Sequence, residues 1–460
     1  MNLESRKTGK RAAFSCPLVF LFSRFPVFPF SRFPNFTMTA LTDFLNRRVV
    51  PPLNAVSDNT YLSAIRAGMV AVSPLTIIGG LFMVLANLPV PGWEERLGKL
   101  KPLLDYPFTA TFGLLAVFVA FAIAYDLAQR LKQDPLTSAA ISALCFLLLQ
   151  LKLTEGEHPE VVLNMAGLGS AGLFTAILVG LVCVPVQKFF ADTGLVIRLP
   201  ASVPSVVQES FLSLVPMTVL LTAFWVLRFV LGVDVNQVIQ SSLQPLINEL
   251  NTLHGILVYA FLVTLLWSVG INGDNALDAI VAPVFLQFLA ANAEAVQARS
   301  PLPYVTANGF FSTFVNVGGT GATIALALVM VMSREPGYRR VARLSLPTQV
   351  FQINEPIMFG IPIVLNPLLM IPYVLNALLL TAGTYLLMDH GLIGRPWVQI
   401  PWTTPPIIGH YLVTGGDWKA AVWGAVSIVI AMAVYWPFAK AAERQRLKAE
   451  ELATADKSPA

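Results

Sequence analysis

Long apolar stretches broken by short polar ones run through most of the chain. They fall near 63 to 90, 108 to 125, 137 to 153, 166 to 186, 211 to 232, 253 to 271, 310 to 332, 357 to 388 and 418 to 438. A run of roughly twenty apolar residues, at 1.5 Å rise per residue, crosses a hydrocarbon core of about 30 Å as a helix. The run at 357 to 388 is longer than one span needs and carries Pro362, Pro367 and Pro372, so the pattern predicts two pieces there. With the semi-polar stretch Asn272 to Ala298 included, the pattern predicts about ten transmembrane helices plus re-entrant pieces. Two further stretches, Lys188 to Gln208 and Val233 to Leu250, mix apolar with polar residues and read as interfacial helices or linkers.

Composition agrees with this pattern. Only 12% of the residues are charged, against about 25% for a soluble domain, and the mean hydropathy is +0.68. A β-barrel would need alternating segments of about ten residues instead. Lys and Arg sit between the apolar runs rather than in a patch, which excludes a nucleic-acid surface. Cys16, Cys145 and Cys183 are scattered and imply neither a disulfide framework nor a metal site.

Charge in the loops orients the chain. Arg47 and Arg48, Arg130 and Lys132, Lys188 and Arg198, and the cluster Arg334, Arg339, Arg340 and Arg343 occupy alternate loops, whereas the loop at 154 to 160 has Glu155, Glu157 and Glu160 and no basic residue. The positive-inside rule then puts both termini in the cytoplasm, the tail carrying Lys440, Arg444, Arg446 and Lys448. The loop with Arg96, Lys99 and Lys101 fits this less well. Residues 1–37 differ from the rest, because Phe and Pro alternate through Ser23-Arg24-Phe25-Pro26 and Ser31-Arg32-Phe33-Pro34. Pro at that density prevents a spanning helix, and no small-residue cleavage site follows. The expectation is a disordered tail or an over-extended start, with Met38 opening the protein proper.

Polar groups inside spans are costly and mark candidate sites. Four stretches qualify. Gly270-Ile271-Asn272-Gly273-Asp274-Asn275 follows an apolar run and reads as an unwound turn lining a wet cavity or as an ordinary loop. Gly318-Gly319-Thr320-Gly321-Ala322-Thr323 reads as close helix packing or as a helix start whose free N–H groups face a polar ligand. Gln352-Ile353-Asn354-Glu355-Pro356 puts a carboxylate beside a proline break, where it accepts hydrogen bonds from hydroxyls or partners a nearby Arg. Ile400-Pro401-Trp402-Thr403-Thr404-Pro405 offers an indole face that stacks on a sugar ring or sits in an interfacial belt.

These stretches, in this order, resemble those of the IIC subunits of phosphotransferase-system permeases in the lactose, cellobiose and diacetylchitobiose family. Leu168 to Ala176, Arg198 to Pro204, Phe359-Gly360-Ile361-Pro362 and Tyr435-Trp436-Pro437-Phe438 match as well, and the resemblance covers about Thr42 to Lys440. It implies an all-α inner-membrane protein of a bacterial cell, a homodimer in membrane lipid, that moves a disaccharide by an elevator movement. Residues 38–232 would form the scaffold half, 233–440 the transport half and 441–460 a cytoplasmic tail. The resemblance implies no cofactor and no metal. Phosphate would come from a separate IIB subunit charged by IIA, because no phosphorylatable domain is visible in this chain.

By matching positions, the resemblance makes Glu355, Asn354, Asn272, Asp274, Gly318, Gly319, Trp402 and Thr404 the sugar-binding residues. Glu355 would hold the hydroxyl destined for phosphorylation, and Trp402 would stack on a ring. One position departs from the family, which usually has His where this chain has Asn272. Asn hydrogen-bonds but does not titrate near neutral pH. The alternative functions are therefore a membrane sugar sensor or a carrier uncoupled from phosphorylation, and a secondary transporter titrating Asp274 or Glu355 is a third.

Overall fold

The computed structural model describes residues 59–86, 92–153, 160–197, 199–200, 203, 205–361 and 363–455. The amino-terminal stretch 1–37 lies outside them. Helices dominate, and their boundaries follow from ordinary capping and break signals. Helix α1 (Thr60–Ala86) is succeeded by α2 (Lys101–Thr111) and α3 (Leu115–Arg130), joined by a single 3₁₀ turn into one long apolar rod. Helix α4 (Pro135–Gln150) begins with Pro135 in its first turn and with the Asp134 carboxylate accepting the Thr137 N–H at 2.7 Å. A two-stranded antiparallel ribbon pairs β1 (Leu151–Leu153) with β2 (Val161–Leu163). Helices α5 (Leu173–Thr193) and α6 (Ser205–Trp225) follow.

Helix α7 (Val235–Leu250) meets α8 (Leu253–Ser268) at a bend of 82°. Asn251 and Thr252 make that corner, where Thr252 caps α8 through the Gly255 N–H at 3.0 Å. Asn251 Oδ1 accepts from the Val305 N–H at 2.9 Å, and its carbonyl accepts from the Tyr385 hydroxyl at 3.0 Å. Helix α7 is tied to the earlier helices by Asn236 Nδ2 donating to Gln150 Oε1 at 2.7 Å and by Gln240 Nε2 donating to the Ala171 carbonyl at 2.7 Å.

Helix α9 (Gly273–Gln297) precedes a π-helical turn at Phe310–Val315, the glycine turn 316–322 and the short α10 (Thr323–Val331). Then come α11 (Pro336–Val350), the six-residue α12 (Glu355–Gly360), α13 (Pro367–Asp389), α14 (Ile408–Val413) and α15 (Trp418–Ala455). Among the described residues seven helices are long and apolar enough to span, or eight when the bent α7–α8 pair counts as one span. The sequence reading of about ten divides the broken segments more generously. The apolar run at 310 to 332 is a π turn, a glycine turn and a nine-residue helix, and none of these pieces crosses a membrane alone.

Helix α1 packs on α2 and α3, and α3 on α4 and α5, while α8 packs on α13, and α15 on both α10 and α13. Contact within the first set is close. A Cβ on Gly68 of α1 would lie 2.3 Å from the Ile123 side chain of α3. Helix α9 touches α1, which brings the second set against the first. Apolar side chains such as Leu81, Trp225 and Val230 are exposed, as lipid contact requires. The protein is an all-α membrane protein.

Candidate functional site

Three broken segments of the second set converge on one place. The first is the start of α9. Gly270 turns the chain out of α8 with φ +88, and the Asn272 carboxamide oxygen accepts the Asn275 N–H at 2.9 Å, which starts the next helix. Asp274, in the first turn of α9, accepts from Trp267 Nε1 at 2.8 Å, from Thr320 Oγ1 at 2.5 Å and from Asn316 Nδ2 at 3.1 Å. One carboxylate therefore joins α8, α9 and the glycine turn, and its charge also suits a helix N-terminus.

The glycine turn is the second segment. Gly318, Gly319 and Gly321 have φ of +73, +107 and +75. A Cβ on Gly319 would stand 2.4 Å from Asn354 Cβ, and one on Gly321 would stand 2.3 Å from the Tyr373 ring. Both sequence readings of this stretch meet here. The glycines do permit close packing, and the turn does leave N–H groups free of the helix. That of Gly318 donates to Gln352 Oε1 at 2.6 Å, and that of Gly319 is shared between the Asn316 carbonyl at 2.9 Å and Gln352 Oε1 at 3.2 Å.

The third segment is the turn before α12. Asn354 is buried and directs its Nδ2 to the Thr320 carbonyl at 3.4 Å, and Glu355, the first residue of α12, is exposed. The Leu365 N–H donates to the Ser268 carbonyl at 2.9 Å, which holds the segment after α12 against the end of α8.

Between these segments and α1 lies a cavity of about 470 Å³, within the usual range for a small-molecule site. Glu355, Asn354, Asn272, Asp274, Gly319 and Trp402 line it. Gly318 stands behind Gly319 with its N–H on Gln352, and Thr404 uses its hydroxyl locally, donating to the Pro401 carbonyl at 2.6 Å. Trp402 is 61% exposed, so an indole face is open at this wall. The wall also contains residues the sequence reading did not single out: Arg66 from α1, Asp278 one turn beyond Asp274, Tyr259, Asn316 and Gln352. Arg66 is within electrostatic reach of Asp278. The signal was available for both, since each is a charged residue inside a stretch that crosses or enters the membrane.

An amide, carboxylates and a guanidinium around one cavity, with an indole at its rim, can bind a polyhydroxylated molecule. Carboxylates accept from hydroxyls, amides do both, and the aromatic face covers C–H surface.

Comparison with known proteins agrees with this geometry. The model of the "Phosphotransferase system, EIIC" family matches residues 66–377. The putative permease IIC component YwbA of Bacillus subtilis (strain 168) is 35% identical over 433 residues, which span 90% of this chain and 98% of that protein. A cellobiose-specific EIIC component of a phosphotransferase system, from Geobacillus stearothermophilus, is 35% identical over 430 residues, 88% of this chain and 95% of its own. Among solved structures, the crystal structure of the transporter ChbC, the IIC component of the N,N'-diacetylchitobiose-specific phosphotransferase system, superposes with a TM-score of 0.84 at 32% identity. That match covers 89% of this chain and 99% of ChbC. The chain belongs to the EIIC family of the phosphotransferase system.

Proposed function

We propose that this multi-pass inner-membrane protein binds a disaccharide of the cellobiose, diacetylchitobiose or lactose type in the cavity and carries it inward for phosphorylation by a separate IIB subunit, itself charged by IIA. The observation that carries the reading is the grouping of Glu355, Asn354, Asp274 and Trp402 around one cavity from segments far apart in sequence. Glu355 accepts a hydroxyl of the sugar and Trp402 covers a ring. Asn354 and Gly319 shape the floor, and Asp274 holds the three segments in register.

The closer packing of α1 to α5 among themselves, and of α8, α10, α13 and α15 among themselves, supports a scaffold half at 38–232 and a transport half at 233–440 that move past each other as an elevator. A homodimer through the scaffold half, in lipid, suits that arrangement, as does a cytoplasmic location for both termini. A second reading, a carrier uncoupled from phosphorylation or a sugar sensor, is favoured by one feature. The Asn272 side-chain oxygen accepts the Asn275 N–H that caps α9, so this position offers the cavity an amide and no titrating group.

The test is uptake of radiolabelled cellobiose, lactose and N,N'-diacetylchitobiose into vesicles, with and without phosphorylated IIB. Uptake that rises with phosphorylated IIB and yields sugar phosphate supports the first reading. Equal uptake of unmodified sugar in both arms supports the second. No uptake of any of the three removes the permease and the uncoupled carrier and leaves the sensor, which binding of the same sugars by the purified protein then tests.

A further inference from the structure

We propose that Gln352 is a substrate-contacting residue that presents its side-chain N–H2 to the sugar, and that Gly318 and Gly319 set which way round its amide stands. This rests on the reading of the cavity as the sugar site. Gln352 is buried, with 7% of its surface exposed, and its backbone has φ +67, a conformation that costs a residue with a Cβ about 1 to 2 kcal/mol. Such a conformation persists where the surroundings over-determine it. They do so here chiefly through the Gly318 N–H on Oε1 at 2.6 Å, with the Gly319 N–H, shared with the Asn316 carbonyl, at 3.2 Å.

The two ends of a side-chain amide are ordinarily hard to tell apart, and their assignment comes from their partners. Two N–H donors can meet only the oxygen. The nitrogen, with its two protons, is thereby turned the other way. Among the described residues it has no acceptor, and it is not one of the side-chain atoms sealed in the interior without a partner. Gln352 belongs to the same cavity wall as Thr320, Asn354 and Glu355.

The chemistry of the neighbours says what this donor is for. An ionised Glu355 only accepts. A sugar hydroxyl that gives its proton to Glu355 still has lone pairs, and an adjacent hydroxyl has both lone pairs and a proton. An oriented donor and a carboxylate acceptor in one cavity suit different hydroxyls of the same sugar. A site with a buried donor of this kind rejects an analogue that leaves it unpaired.

The variant Gln352→Glu separates the two roles of the side chain. Its carboxylate still accepts from both glycine N–H groups, so the turn and the melting temperature of the purified protein stay near wild type. The donor is gone and a second negative charge enters the cavity that Glu355 lines. Cellobiose affinity, measured by calorimetry, should fall about tenfold or more at pH 7.5. The gap to wild type should narrow at pH 5, as the introduced carboxyl gains a proton that it can donate. A purely structural role would move the melting temperature and leave the pH dependence like that of wild type.

Equal cellobiose affinity of wild type and Gln352→Glu at pH 7.5 would overturn the inference alone. Failure of wild type to bind cellobiose, lactose and N,N'-diacetylchitobiose would overturn the sugar-site reading and this inference with it. If the variant does not fold, a structure of the wild-type chain with cellobiose decides. A Gln352 Nε2 within about 3.2 Å of a sugar oxygen is expected, and an Nε2 that touches no sugar atom overturns the assignment.

Discussion

Gly319→Ala puts one methyl group where the two polar turns touch. The backbone at Gly319 has φ +107, and the new Cβ would stand 2.4 Å from Asn354 Cβ, 2.9 Å from Asn354 Cγ and 3.2 Å from the Gln352 carbonyl. Neither Asn354 Cβ nor a carbonyl is the loose end of a flexible side chain, so the turns must part. Left-handed backbone costs a residue with a Cβ about 1 to 2 kcal/mol and overpacking about 1 to 3, so the substitution should destabilise by roughly 2 to 5 kcal/mol. Gly391→Ala is the matched control, because Gly391 has φ +68 but nothing within 4 Å of a new Cβ. It should cost only the backbone share. Melting of both variants in detergent gives the stability difference, and cellobiose calorimetry gives the functional one. Gly319→Ala should lose affinity at least tenfold, since parting the turns by even 1 Å misplaces Asn354 and Glu355 together. The reasoning fails if the two variants match in both melting temperature and affinity.

Glu355→Gln should weaken cellobiose binding by roughly ten- to hundredfold in the same calorimeter, because a hydrogen bond to a charged group contributes about 1.5 to 3 kcal/mol; an unchanged affinity would remove Glu355 from the site. Trp402→Ala should leave the melting temperature within a few degrees, as the side chain is 61% exposed, yet lower affinity about tenfold through lost stacking. Cysteines introduced at Glu160 and Arg340 should label from opposite sides of the membrane with an impermeant reagent, and same-side labelling would sink the orientation.

The broken segments were legible because each carries its own punctuation. Proline after Glu355, glycines around Asn272 and the triplet Gly318, Gly319 and Gly321 all interrupt apolar runs, and apolar runs have few reasons to be interrupted. What was not legible is the pairing. That Asp274 would answer Trp267, Asn316 and Thr320 at once depends on a fold bringing Asn316 and Thr320, 42 and 46 residues away, to 3.1 and 2.5 Å. Arg66 shows the same limit. A lone Arg early in an apolar helix announces that it needs company, but α1 meets α9 only through the packing of the whole bundle, so neither Asp278 nor the cavity follows from the local pattern. Gln352 was hidden for a different reason. It stood in a motif dominated by its charged neighbour, and its meaning lies in two backbone N–H groups that sequence does not display.

The corner between α7 and α8 sets how motion could pass from one set of helices to the other. Asn251 is bolted on both sides, to Val305 through its side chain and to Tyr385 through its carbonyl. That joint is tied to both the 305 segment and α13. Helix α7 is held to the earlier helices by side-chain hydrogen bonds to Gln150 and Ala171, each worth about 0.5 to 1.5 kcal/mol, by the Arg228–Asp234 ion pair at 3.2 Å and by packing on α5. If the second set travels, the corner goes with it and the far end gives way. The 16 residues of α7 then act as a crank arm about 24 Å long, so a modest swing at its free end becomes a displacement comparable with the thickness of a lipid headgroup layer.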